Sequence, residues 1–159
     1  MENNNAHNNT AGLLAFITPG LPIKTTFDVI FRDNFIVDNN HKNFGAPGSL
    51  VSGIPTETEI LIMTADDVII ENNIINSNLN AGIVIVDLAN RADASKNPNA
   101  EPNPDRLVIL DNLMFDNGNK PKGELKALMM AQFSKKGPDI FTIGGGKGCL
   151  LYTSPSPRD

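Results

Sequence analysis

Residues 67–78 read DVIIENNIINSN, and the same pattern stands at residues 28–39 (DVIFRDNFIVDN) and 106–117 (RLVILDNLMFDN). Aligned on Asn34, Asn73 and Asn112, the three copies agree column by column at a spacing of 39 residues. Val29, Val68 and Leu107 lie five positions before the Asn; Phe31, Ile70 and Ile109 lie three before it. Phe35, Ile74 and Leu113 follow it directly, and Asn39, Asn78 and Asn117 lie five after it. A fixed period of this size marks a stacked repeat architecture. Each copy is two short alternating apolar runs, rich in β-branched and aromatic residues, around an Asn corner. Such runs read as strands, and they hold too few apolar residues for a helix face.

A third strand completes each repeat: residues 81–86 (AGIVIV), 60–63 (ILIM) and 11–17 (AGLLAFI). Three strands and three corners make one turn of a parallel β-helix, and the chain has room for about four. Equivalent Asn residues of successive turns then stack. Asn tolerates the left-handed backbone of a tight corner, and stacked amides hydrogen-bond along the stack. Asn34, Asn73 and Asn112 are therefore read as a structural ladder, in preference to ligand-binding residues.

The chain has 159 residues, a net charge of −5, no Trp and one Cys. Its length suggests one domain. The acidic balance argues against a nucleic-acid footprint, and no apolar run approaches the ~18 residues of a membrane span. Residues 1–17 read as mid-coil: Glu2-Asn3-Asn4 matches Glu71-Asn72-Asn73, with no atypical capping repeat ahead of them. Residues 149–159 (CLLYTSPSPRD), which include Cys149, resemble a translated sequencing-library adapter. The expectation is a β-helix fragment over residues 1–148, open at both ends, followed by an artefactual tail.

Insertions break the period at residues 18–26, 41–59, 88–105 and 118–138. All of them border the sheet made by the third strands, which predicts loops rising on two sides of that sheet with a groove between. Leu125, Leu128, Met129 and Phe133 fall at helical spacing, predicting a short packing helix over residues 124–135. Both faces of the third strands are apolar (Leu13, Ile60, Ile83 and Leu14, Leu61, Val84), so one of them requires a cover.

The coil pattern, with residues 10–22 (TAGLLAFITPGLP), 39–55 (NNHKNFGAPGSLVSGIP) and 65–87, resembles the right-handed parallel β-helix repeat proteins of the pectate-lyase-like superfamily. More specifically it is similar to a bacterial family of exported parallel β-helix domains of unassigned activity. The resemblance implies an all-β, right-handed solenoid and a periplasmic or extracellular location. The superfamily holds lyases, hydrolases, epimerases and non-catalytic domains, so fold alone does not select the activity.

Candidate chemistry is sparse. Adjacent Asp66 and Asp67 resemble a hydrolase acid pair, but no Gly-His-Gly or Arg-x-Lys companion accompanies them, and a solvated corner is the simpler reading. Arg32 is placed to meet Glu71 one coil away, as a base or as a cross-strand ion pair. His41, with Asp38 and Lys42 beside it, lies at the root of the second insertion, where an imidazole is a usable acid or base. Asp87, Arg91 and Asp93 lie at the root of the third. His7 sits on a short corner. The GGGKG of residues 144–148 lacks the ending of a phosphate loop. No His/Cys cluster suggests a transition metal, while calcium through Asp and Asn oxygens is compatible with the composition. The residues favour a non-catalytic module binding polysaccharide or a cell-envelope protein, with Asp38, His41, Lys42, Asp87, Arg91 and Asp93 as ligand contacts. The alternative is a polysaccharide-active enzyme working in the groove.

Overall fold

The computed structural model describes residues 1–17, 22–23, 25–49, 52, 54, 56–87 and 103–144. Arg91, Asp93, Cys149 and the 149–159 tail lie outside the described residues. The strands are β1 (Asn5–His7), β2 (Ala11–Phe16), β3 (Thr26–Arg32), β4 (Phe35–Val37), β5 (Thr58–Met63), β6 (Ala65–Glu71), β7 (Ile74–Asn76), β8 (Ala81–Val86), β9 (Val108–Leu110), β10 (Leu113–Phe115) and β11 (Ile140–Ile143). One helix is described, α1 (Gly123–Ala131).

The strands form three parallel sheets, β1-β4-β7-β10, β2-β5-β8-β11 and β3-β6-β9. From β1 onward the chain visits these sheets in one unchanging cyclic order, so every sheet gains a strand before any gains a second. That is the path of a parallel solenoid, and the 39-residue period is its register: Val29 pairs with Val68, Phe31 with Ile70, and Ile70 with Ile109. Alternation then drives one set of side chains into a common interior. Leu13, Phe31, Ile36, Ile60, Val68, Ile70, Ile75, Ile83, Leu107 and Ile109 meet there from all three sheets.

The corners correct one detail of the sequence reading. The left-handed residue is not the ladder Asn but the residue before it: Asp33 (φ 56°), Asn72 (φ 54°) and Asp111 (φ 54°). The second corner repeats this with Asp38, Ser77 and Asp116, and a third left-handed column runs through Asp28, Asp67 and Arg106. Asp and Asn bear this conformation at low cost because their short polar side chains bond locally. The next residue is thereby turned inward, and its amide can meet its counterpart. The corner expected over residues 64–67 is also tighter than read, since β6 already begins at Ala65 after a left-handed Thr64 (φ 57°).

The face of the third-strand sheet turned away from the interior is covered. Leu61, Val84 and Val86 pack with Leu125 and Met129 of α1, and Ile54 of the second insertion joins them. The helix is shorter than residues 124–135. It ends at Ala131, leaves Leu128 42% exposed, and places Phe133 beyond its end, 99% exposed in a left-handed turn. Only Leu125 and Met129 of the helical-spacing set are buried. The apolar floor offered by the sequence is therefore already occupied at Leu61 and Val84.

Candidate functional site

Two Asn ladders hold corners of the solenoid, and the second stands where the insertions at residues 41–59 and 118–138 leave it. In the first, the Asn73 Oδ1 accepts the Asn34 N–H (3.0 Å) and the Asn34 Nδ2 (2.8 Å); Asn112 Oδ1 does the same for Asn73 (3.0 and 2.8 Å). Asn4 extends the stack onto Asn34 (3.0 and 2.9 Å). Asn34 and Asn73 are buried, and their remaining amide protons go to backbone carbonyls. These residues are structural, and the geometry leaves them no free group for a ligand.

The second ladder, through Asn9, Asn39, Asn78 and Asn117, alternates in its chemistry. Asn9 Nδ2 donates to Asn39 Oδ1 (2.8 Å) and Asn78 Nδ2 to Asn117 Oδ1 (2.7 Å). Asn39 Nδ2 instead donates to Glu59 Oε2 (2.5 Å), and Asn117 Nδ2 to Asp139 Oδ1 (2.9 Å). The strand register places Gly12, Glu59, Gly82 and Asp139 level with one another in successive turns. Glycine and carboxylate alternate because each acid needs the space its neighbour lacks. A Cβ on Gly12 would stand 2.5 Å from the Glu59 carbonyl oxygen and 3.0 Å from Glu59 Oε2; one on Gly82 would stand 2.8 Å from the Asp139 carbonyl oxygen.

Glu59 is wholly buried. Burial pushes its pKa up to about 8, against the two hydrogen bonds from Asn39, which favour the charged form; the nearby Asp38 charge adds to the rise. Sequence reading missed this group by placing Glu59 at the end of a loop. The signal was present in the alignment of Glu59 with Gly12 and Gly82.

The charged residues singled out in the sequence fall into two kinds. Arg32 pairs with Glu71 (2.5 Å) and Glu2 (3.2 Å), and Arg106 clasps Asp67 (2.6 Å) while reaching Asp66 (3.3 Å). The hydrogen bond from Arg106 lowers the pKa of Asp67, and the Glu71 bond raises that of Arg32. Asp66, Asp67 and Arg32 are thus held in ion pairs along the stack. Asp38, His41 and Lys42 are exposed together ahead of β5, at the border where the third strands begin. Their backbones are tied to neighbouring turns: His41 N–H to the Asn9 carbonyl (3.0 Å), and the Lys42 carbonyl to Thr10 Oγ1 (3.3 Å). Asp87 is 7% exposed at the other end of β8, its N–H on the Ile143 carbonyl (3.2 Å). Six-residue strands separate the two groups by about 20 Å. The fold therefore brings Asp38, His41 and Lys42 to one border and sets Asp87 on the opposite one.

Along the border where Asp38 stands lies a pocket of about 390 Å³, lined by Lys120, Lys122, Lys126, Lys135, Ser134 and Met129 among others. The border backbone fixes its position: Lys120 N–H meets the Leu79 carbonyl (2.8 Å), and Lys122 N–H meets Asn80 Oδ1 (3.1 Å). Lys122 Nζ bonds the Oε1 of buried Glu57, a residue in left-handed backbone (φ 63°) at the start of β5. Groups of three or more metal-ligating side chains are absent among the described residues. No described helix is long and apolar enough to cross a membrane. Comparison of the chain with protein-family models, with curated proteins and with solved structures returns no match.

Proposed function

We propose that this chain forms a right-handed parallel β-helix of about four turns, of the pectate-lyase-like kind, acting as an exported module that binds carbohydrate. The binding surface is the border of the third-strand sheet at the start of its strands. One observation supports this above the rest. The second insertion and α1 both pack on the outer face of that sheet, and the 390 Å³ pocket opens beside them. Pockets of this size, set by a rigid scaffold and carried on insertions, are where binding sites concentrate. Asp38, His41 and Lys42 stand exposed on the same border and supply polar contacts.

The test is to incubate the chain with a panel of neutral and acidic polysaccharides. Retardation in affinity electrophoresis, with no new reducing or unsaturated ends, is the expected result. New ends would instead make the chain a polysaccharide-active enzyme. Binding to none of the panel would overturn the carbohydrate reading and favour a cell-envelope protein as partner.

A further inference from the structure

We propose that the outer face of the β1-β4-β7-β10 sheet docks a basic amphipathic helix of a partner protein. The inference is independent of the carbohydrate reading, which concerns the third-strand sheet. Ile36 of β4 and Ile75 of β7 are buried in the solenoid interior, so alternation turns the residues beside them outward. Phe35, Ile74 and Leu113 pair in register and form one column on that outer face. Val37 and Phe115 stand in the next column, with Asn76 between them. Phe35, Ile74, Leu113 and Phe115 are 42%, 38%, 58% and 42% exposed, and none joins either buried apolar cluster. The third-strand sheet, by contrast, has its outer apolar face covered by α1. The strand does not require this stripe, since Asn5 holds the same column in the first turn.

The borders of the stripe determine what fits it. Left-handed corners flank it: Asp33, Asn72 and Asp111 precede the first column, and Asp38, Ser77 and Asp116 follow the second. The four aspartates are exposed and make no ion pair among the described residues. Arg32, next to Asp33, is taken by Glu71 and Glu2. Asn72 and Ser77 adopt the same corner conformation, so the corner itself does not call for a charge. An apolar stripe between two acidic columns is complementary to a segment with an apolar centre and cations on both flanks. A second copy docked face to face would set acidic column against acidic column, and an anionic bilayer would be repelled by both.

Spacing points to a helix. Successive turns of the solenoid stand about 4.8 Å apart, and one turn of an α-helix rises about 5.4 Å. Apolar side chains at i, i+3, i+4 and i+7 of a helix laid along the solenoid axis therefore follow Phe35, Ile74 and Leu113. The extended chain from Asp33 to Asp38 spans about 16 Å, and a helix is about 10–12 Å across. Lys and Arg on its flanks reach the acidic columns while their stems lie along the stripe.

The experiment titrates the full chain into a fluorescent ~15-residue peptide with leucines on one helical face and lysines on both flanks. A scrambled peptide of the same composition and one with glutamates on the flanks serve as comparisons. The expected result is binding of the basic amphipathic peptide over both others, weakening as salt rises. The double variant Phe35→Thr, Leu113→Thr should weaken binding about tenfold or more. Asp33→Asn, Asp111→Asn should do the same and flatten the salt dependence, with the fold kept because Asn72 already serves at that corner. Equal binding of the scrambled peptide, or undiminished binding by both double variants with unchanged melts, would overturn the proposal. Self-association of the parent that Phe35→Thr, Leu113→Thr abolishes would assign the face to a second copy instead. Binding to vesicles of anionic lipid that the same variant abolishes would assign it to a membrane surface, and either result would overturn the helix.

Discussion

The side-chain amide of Asn39 donates to the carboxyl of Glu59 at 2.5 Å, inside a ladder where the equivalent Asn78 donates to another Asn. An acid has been built into an amide stack, in the space left by Gly12 on one side and Gly82 on the other. The column shows how tightly the turns are coupled: a residue of one turn sets what its neighbours in the next can be.

That carboxyl makes stability depend on pH. Glu59 holds its proton up to about pH 8 in the folded chain, against an ordinary value of 4.5. Between those values the folded state binds more protons than the unfolded state, so stability falls as pH rises. The contribution is complete below about 4.5 and is lost as pH passes through about 8. At about 1.4 kcal/mol per pKa unit, the change amounts to a few kcal/mol. Denaturant melts from pH 5 to pH 9 should show this slope, and Glu59→Gln, which keeps an acceptor for Asn39, should flatten it. An unchanged slope in the variant would assign the pH dependence to other groups.

Asn73 receives two hydrogen bonds from Asn34, and the two protons of its own side-chain amide are shared among the Phe31 and Glu71 carbonyls and Asn112 Oδ1. Asn73→Ala leaves buried donors and acceptors unpaired on both sides, at a cost of about 1–3 kcal/mol. Chemical denaturation measures it directly. A loss near zero would show that the neighbouring backbone relaxes enough to satisfy itself.

Gly12→Ala drives a methyl group to 2.6 Å from Ile36 Cγ2 and 2.5 Å from the Glu59 carbonyl oxygen. Overpacking of this kind costs about 1–3 kcal/mol. The same methyl would stand 3.0 Å from Glu59 Oε2, and shortening the acid relieves that side-chain contact, so the double variant Gly12→Ala, Glu59→Asp should melt above the sum expected from its two single variants. Strict additivity would contradict the coupling between the two positions.

The helix covers the third-strand sheet through Leu125 and Met129, both buried, whereas Phe133 is 99% exposed. Leu125→Ala should therefore cost about 2–5 kcal/mol and raise the binding of a hydrophobic dye. Phe133→Ala should stay within about 0.5 kcal/mol of the parent. Similar losses in both would mean that α1 is not a cover for the sheet.

By itself the sequence determined the repeat, the strands of each turn, the Asn34, Asn73 and Asn112 ladder, and the pairing of Arg32 with Glu71. Those features recur at fixed spacing, and a parallel stack converts spacing along the chain into contact between turns. What the sequence left open was decided where the period breaks. Whether Leu13 or Leu14 faced the interior depended on where the corners fell, and what covered Leu61 depended on the path of an insertion that has no repeat to set its register. Periodicity likewise gave Leu128 and Phe133 the same standing as Leu125 and Met129, because it counts spacing and not the place where the helix stops. The lysine pocket and the buried carboxyl of Glu59 belong to the same class. Lys120 and Lys135 are far apart along the chain for a cluster, and Glu59 in β5 is separated from Asn39 by the whole second insertion. Only the docking of α1 and the return of the second insertion into β5 bring these groups together.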